Sequence, residues 1–202
     1  MIREAVASEA GEIRALQARS WCVTYPNEEY GVSAEWVKGF TDSWLTEEAV
    51  AQSVEFIGAV LAASNMFYRV AEVDGRIVGF VHAVKHSVDD GELMGLYLDP
   101  PAFGTGVGSE LMDAAMEWIG AIPARLDVAP YNIRAIRFYR RYGFREVAGS
   151  ERLCNVMPWV DLSGHPDDQD GLVLNLNAIP IIDMVRGENW GWYSAAAESF
   201  GG

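Results

Sequence analysis

Between a β-rich run ending at Leu98 and a helical apolar pattern opening at Val107, glycine recurs at every second position in Phe103-Gly-Thr-Gly-Val-Gly-Ser109. A loop in that place turns unpaired N–H groups toward one point beside the positive end of a helix, which suits a phosphate. Glycine at 104, 106 and 108 removes the Cβ atoms that would hold such a group away from the main chain. Gly104-x-Gly106-x-x-Ser109 also partly matches a dinucleotide fingerprint, and Asp127 falls near the place where ribose recognition would need it. What precedes the loop argues against that match. A dinucleotide fold opens with its fingerprint strand inside parallel βαβ units, whereas here three hairpin-linked strands come first.

Those strands read as Met66 to Val73, Arg76 to Val84 and Glu92 to Leu98. Asp74-Gly75 is a strong hairpin signal, and Asp89-Asp90-Gly91 makes a second reversal, so an antiparallel meander is expected. Upstream, Ile2 to Val6 is a short strand. A helix capped by Ser8 follows, with Ile13, Leu16, Ser20 and Val23 at helical spacing. Two further helical stretches occupy Ser33 to Leu61, the second opening at Thr46-Glu47-Glu48 with Val50, Val54, Ile57 and Leu61 as its stripe. Downstream, Val107, Leu111, Ala114, Ala115 and Trp118 mark a helix and Arg125 to Ala129 a strand. A helix capped by Asn132 then runs to Tyr142, where Gly143 serves as the left-handed stop before a strand from Phe144. Ile179 to Val185 supplies a last strand. The expected organisation is one domain over residues 1–186, with a loop insertion at about 151–178 that includes Ser163 to Gly171, and a loosely held tail over 187–202.

Composition narrows the partners. Fifteen basic against 29 acidic side chains leave a net charge of −14, which repels nucleic acid and would attract a cationic small molecule, although acidity also serves solubility. No apolar run approaches the ~20 residues of a membrane span, and Met1 to Arg14 has no secretory apolar segment. A cytoplasmic location without membrane contact is the expectation. Cys22 and Cys154 lack the spacing of a metal knuckle or a disulfide scaffold and read as reduced thiols. His82 and His86 share a strand face without a third ligand, so no metal is expected.

Leu96-Tyr-Leu-Asp-Pro100, the glycine loop, and Asn132-Ile-Arg-Ala-Ile-Arg-Phe-Tyr-Arg-Arg-Tyr-Gly-Phe144, in this order, resemble the GCN5-related N-acetyltransferases. Within that family the chain is similar to the bacterial branch that acts on ribosomal proteins and small amines. The resemblance covers roughly residues 2–150. It implies an α/β (α+β) fold: a mixed, mostly antiparallel seven-stranded sheet flanked by helices and splayed between strands 4 and 5, with acetyl-coenzyme A as acyl donor in the gap. Backbone groups of Tyr97 and Leu98 would then pair with the pantetheine arm. Phe103, Gly104, Thr105, Gly106, Val107, Gly108 and Ser109 would cradle the pyrophosphate, and Asn132 would contact the carrier farther along. Phe103 and Thr105 depart from the polar and basic residues usual at those places, and Arg134, Arg137, Arg140 or Arg141 is a source of replacement charge.

Transfer to an amine needs a base for the ammonium and an acid for the departing thiolate. Tyr139 matches the family's general acid. Asp127 is the first candidate base and Glu92 the second, with a backbone N–H near Leu98 for the developing oxyanion. Trp21, Tyr25 and Tyr30 belong to an aromatic group that either bounds an acceptor pocket or packs as core. The expected activity is acetylation of a small-molecule or peptide amine, with a homodimer as the common family assembly. The alternatives are a non-catalytic acyl-coenzyme A sensor and, on the partial fingerprint alone, an NAD(P)-dependent oxidoreductase.

Overall fold

A computed structural model describes residues 1–155 and 178–187. The segment Ser163 to Gly171, read as a loop, and the tail beyond Gly187 lie outside the described residues. The strands are β1 (Ile2–Glu4), β2 (Met66–Val73), β3 (Arg76–Lys85), β4 (Gly91–Leu98), β5 (Ala124–Val128), β6 (Arg145–Glu146), β7 (Arg152–Asn155) and β8 (Ala178–Arg186). The helices are α1 (Ala10–Thr24), α2 (Ala34–Asp42), α3 (Glu47–Ala62), α4 (Val107–Ile119) and α5 (Ile133–Arg141).

Seven strands follow the order β1-β2-β3-β4-β5-β8-β6, with β7 also pairing β8. All described pairings are antiparallel except β4 with β5, so the sheet is mixed and mostly antiparallel, as expected. The β2–β3 hairpin turns on Asp74 at φ 51° and Gly75 at φ 74°, the pair of positive angles that matches strand twist in a two-residue loop. Strand β7 was not expected. It falls in the stretch read as an insertion, where Arg-Leu-Cys-Asn lacks an alternating pattern and gains its partner from β8, far along the chain.

The parallel contact is short. Gly91 faces Ala124 and Glu92 faces Arg125, after which β4 and β5 part. The closed end is drawn tight by the Gly91 N–H donating to the Pro123 carbonyl at 2.9 Å. Arg125 adds ion pairs to Glu92 at 2.8 Å and Asp90 at 3.3 Å. A bulge begins the separation: Ala83 faces Leu93 but His82 faces Gly95, leaving Met94 as the extra residue on β4. A bulge bends a strand, raises its twist and shifts the phase of every residue beyond it. Without it Leu93, Gly95 and Tyr97 would share a face. With it, Leu93, Leu96 and Leu98 all meet the α4 core, while Tyr97 packs on the opposite side.

Helices cover both faces. On one, α4 and α5 bury Leu111, Met112, Ile136 and Tyr139 against Phe67, Val81, Leu126 and Met184. On the other, α1 and α3 pack Ile13, Leu16, Ile57 and Val60 on Val70, Ile77 and Phe80. The α1 stripe keeps Ile13, Leu16 and Ser20 as expected and differs only at its end, where Trp21 is buried and Val23 is 61% exposed. A two-pronged ion pair from Arg19 to Asp99, both contacts at 2.9 Å, ties α1 to the end of β4.

Gly79, in β3 opposite Leu98, sits where a Cβ would lie 2.5 Å from Leu98 Cδ2 and 3.0 Å from the Tyr97 carbonyl. Gly79→Ala is therefore expected to destabilise the fold by about 1–3 kcal/mol through overpacking. The exposed helical Gly58, with open space around it, should instead gain about 0.5–1 kcal/mol as alanine. Denaturant midpoints of the two variants check both signs.

Candidate active site

The separation of β4 and β5 opens a cleft of about 450 Å³. One wall is the far half of β4. The Asp99 N–H donates to the Val78 carbonyl at 2.9 Å, and in the same register Tyr97 faces Phe80 and Gly95 faces His82. By the two-residue alternation of an antiparallel ladder, the main-chain groups of Leu96 and Leu98 point away from β3 and into the gap. This alters one expectation: the backbone of Tyr97 belongs to the β3 ladder, and it is the Tyr97 ring that lines the cleft. Leu96, which the sequence reading did not select, takes its place because the bulge that resets the phase leaves no trace in the residues themselves.

The glycine loop caps the cleft. Gly104 at φ 78° and Gly106 at φ 97° hold backbone angles that side chains resist, and Gly106 starts α4 without a side-chain cap. Among the described residues nothing accepts the N–H groups of Gly104, Gly106, Val107 and Gly108. A Cβ at Gly108 would come 3.2 Å from Leu98 Cδ1, so glycine there lets the helix start lie against β4. Four unspent donors at the head of a 13-residue helix form a nest suited to an anion. Phe103, Gly104, Gly106, Gly108 and Ser109 face the cleft. Val107 packs instead into the α4 core, and the Thr105 hydroxyl turns back to donate to the Ala102 carbonyl at 2.8 Å.

The opposite wall comes from β5 and α5. Asn132 caps α5 by accepting from the Ala135 N–H at 3.2 Å and also lines the cleft. Arg134 sets its guanidinium 3.8 Å from the centre of the Phe103 ring, across the mouth of the gap. Arg134 and Arg141 line the cleft, whereas Arg140 is held by Glu146 on the outer face. Tyr139 is buried at the cleft wall. Burial, and then the nearby Tyr97, push its phenol well above the ordinary range. Tyr25 lines the same space, within hydrogen-bonding reach of the Tyr97 phenol, and the Tyr131 hydroxyl donates to the Tyr25 carbonyl at 2.9 Å.

Asp127, half exposed in the cleft, stands directly opposite Asp183 of β8. Arg152 bridges them, donating to Asp127 Oδ1 at 2.9 Å and to Asp183 Oδ1. Burial first, then the hydrogen bond to Asp183, raise the Asp127 carboxyl to about 6 against the opposing pull of Arg152. Asp183 and Arg152 were missed from sequence. The available signal was a single carboxylate inside the apolar run Ile-Ile-Asp-Met-Val, since a buried charge is informative where a buried leucine is not. Glu92 is placed elsewhere, at the closed end of the gap between Arg125 and His86 at 2.7 Å. Trp21 does not face the cleft but is buried among Tyr25, Phe40 and Trp44, at 4.3, 5.8 and 4.9 Å between ring centres. Tyr30 is exposed and rests on the Tyr131 ring.

A split sheet, with an anion nest at the head of the split and a phenol and a carboxylate lining it, has the form of a group-transfer site. The chain belongs to the acetyltransferase (GNAT) family, whose model matches residues 14–144. An uncharacterized N-acetyltransferase of Mycobacterium tuberculosis is 32% identical over 142 residues, covering 68% of this chain and 84% of the relative. A mycothiol acetyltransferase of Acidimicrobium ferrooxidans is 40% identical over 84 residues, 38% of this chain and 27% of that one. Among solved structures, the PaiA N-acetyltransferase of Thermoplasma acidophilum in complex with coenzyme A has the same fold. It aligns with TM-score 0.64 at 18% identity, over 93% of this chain and 98% of that one. The ribosomal-protein-alanine N-acetyltransferase of Brucella melitensis aligns with TM-score 0.59 at 16% identity, over 93% and 99%. No helix among the described residues is long and apolar enough to cross a membrane.

Because the folded state raises the Asp127 pKa, its proton stabilises the fold. That contribution is complete below the ordinary value of 3.8 and is lost as pH rises through about 6. Asp127→Asn should remove this component of the pH dependence. Denaturant midpoints taken between about pH 4 and about pH 7 on both proteins measure it.

Proposed function

We propose that the chain transfers an acetyl group from acetyl-coenzyme A to a primary amine of a small molecule or peptide, by direct attack within a ternary complex. The carrying observation is that one cleft holds the free amides of the glycine loop, the gap-facing main chain of Leu96 and Leu98, the Tyr139 phenol and the Asp127 carboxylate. The coenzyme A bound by the Thermoplasma protein of the same fold supports this reading. In it, the amides of Gly104, Gly106, Val107 and Gly108 hold the pyrophosphate, and Arg134 and Arg141 supply the charge that Phe103 and Thr105 lack. Leu96, Leu98 and the Asn132 side chain hold the pantetheine arm. A homodimer and a cytoplasmic location belong to the same proposal and rest on the family resemblance.

When bound, acetyl-coenzyme A supplies a thioester whose carbonyl carbon the amine nitrogen attacks, forming the C–N bond and releasing the thiol as the C–S bond breaks. Tyr139 keeps its proton across the physiological range because burial disfavours phenolate, so its hydroxyl holds a proton for the departing sulfur. Asp127, at about 6, is largely ionised at neutral pH and takes the ammonium proton, directly or through one water. The N–H groups of Leu96 and Leu98 serve the carbonyl oxygen and the carrier amide. Glu92 holds the closed end of the gap rather than moving a proton, since Arg125 and His86 already occupy its carboxylate.

A second reading, an acyl-coenzyme A sensor without turnover, draws on the Phe103 ring and its Arg134 partner at the loop. Thiol release from acetyl-coenzyme A over an amine panel separates the two. Turnover is expected, falling about 10²- to 10⁴-fold in Tyr139→Phe while the coenzyme A-induced rise in melting temperature is kept. The kcat/KM of the wild-type protein should fall below about pH 6, and Asp127→Asn should lose that limb. Stabilisation by coenzyme A with no thiol release from any amine would leave the sensor.

A further inference from the structure

Asp127 and Asp183 are brought face to face by the register of β5 and β8. The Asp183 N–H donates to Ser150 Oγ at 3.0 Å, and its carbonyl accepts from the Val147 N–H at 2.9 Å, so both of its main-chain groups are spent on the turn after β6, away from β5. That turn is closed by the Ser150 hydroxyl donating to the Val147 carbonyl at 2.7 Å. Asp127 and Asp183 are therefore a non-hydrogen-bonded pair of the antiparallel ladder, the kind whose Cα atoms approach to about 4.5 Å and whose side chains lie closest. Like charges directly opposite each other destabilise a sheet. Asp183 is only 4% exposed, so water and salt screen its charge little.

Among the described residues, the register also fixes what else shares this face. On β5 it is Arg125 and Ala129, and Arg125 pairs with Glu92 and Asp90. On β8, Val185 and Ile181 flank Asp183; Val185 has Arg145 of β6 opposite it, and Ile181 has Arg152 of β7. Tyr25 and Tyr97 bring phenols to the same cleft. Arg152 reaches both carboxylates, with one terminal nitrogen on Asp127 Oδ1 at 2.9 Å and the other on Asp183 Oδ1. One guanidinium thus serves two carboxylates, and a shared proton relieves what is left of their repulsion. Burial first, and then the hydrogen bond between the two carboxyls, accordingly hold Asp127 up at about 6. If the cluster served only to join β7 to β8, the contact of Arg152 with Asp183 would suffice. Asp127 instead keeps its side chain 45% exposed, in the wall of the cleft.

We propose that Asp183 and Arg152 act through Asp127 as positioning residues: the two carboxylates form one proton-sharing pair, Arg152 offsets a single charge of it, and the cleft-side oxygen of the pair takes the proton of the acceptor ammonium. The ammonium N–H bond breaks with its electron pair left on nitrogen, which then attacks the thioester carbonyl. The proton forms an O–H bond on Asp127, and the Asp183 carboxylate accepts a hydrogen bond from it. Once the product has left, the proton passes to water and the pair is restored. Asp183 makes its neighbour a stronger base than a lone carboxylate, while Arg152 keeps that neighbour ionised at neutral pH. The inference rests on Asp127 as the base of the transferase reading, and it adds the residues that set the strength of that base.

Two readouts test it, and the first needs no acceptor. In carbon-13-labelled wild-type protein the side-chain carboxyl resonances of Asp127 and Asp183, assigned with Asp127→Asn and Asp183→Asn, should each follow the same two titration steps, the behaviour of two carboxyls that share a proton. A single, separate step for each carboxyl overturns the pair. The second readout is the pH profile of kcat/KM for acetyl transfer from acetyl-coenzyme A to lysine, spermidine or phenethylamine. Asp183→Asn should move the acid limb about 1 pH unit below that of the wild type, and Arg152→Gln should move it about 1 unit above. Arg152→Lys, which keeps the charge, should fall between Arg152→Gln and the wild type. A retained melting shift with coenzyme A shows that each variant is folded. Limbs that stay in place while activity drops equally at every pH, as loss of a purely structural tie would give, overturn the proposal. Limbs moved in one direction by both Asp183→Asn and Arg152→Gln do the same. Shared titration steps without acetylation of any of these amines uphold the pair and sink the transferase reading, so the two failures are told apart.

Discussion

The cleft depends on one extra residue in β4. Met94 has no counterpart in β3, and the phase reset that follows does two things at once. It sends Leu96 and Leu98 into the core beneath α4, anchoring the strand, and it turns their main-chain groups toward a neighbour that is no longer there. Hydrogen-bonding capacity that an unbroken sheet would consume internally is left facing a gap. At the closed end, the Gly91–Pro123 contact and the Arg125 ion pairs keep the two strands together. At the open end, Asp99 is held by Arg19, so the strand that carries the free groups is fixed at both ends of its bend.

The electrostatics of the site follow from which face each residue occupies. Leu126 and Val128 point into the α4 core, so Asp127 between them must point to the α1 side, where it meets Asp183 across the β5–β8 ladder. Two carboxylates at that spacing cannot both be comfortable as anions, and Arg152 offsets only part of their repulsion. Tyr139 belongs to the opposite face. The sheet thus sets the Tyr139 phenol and the Asp127 carboxylate on opposite faces, and both residues line the split.

Much of this was legible in the residues because it is local. Asp74-Gly75 announces a turn with two positive φ angles, the glycines announce a loop with exposed amides, and Asn132 announces a helix start. The features that escaped are properties of pairing. Leu-Met-Gly-Leu reads as continuous strand, and its bulge exists only relative to Ala83 and His82. Arg152 and Asp183 reach Asp127 through strand register across separations of 25 and 56 positions. Trp21 is ambiguous by type, an aromatic near a pocket, and its burial against three rings decides for packing.

Strand β8 carries a consequence for how the molecule comes into being. Beyond the two residues it shares with β4, β5 finds its hydrogen-bonded neighbour among the described residues in β8, which begins at Ala178. On a ribosome, the meander and both of its helical layers emerge well before that strand does. Until it arrives, one flank of the gap is an unpaired edge of the kind that invites association with other chains. The strand that gives β5 its long-range partner thus follows every other strand of the sheet in the chain, so burial of that exposed edge waits on its synthesis.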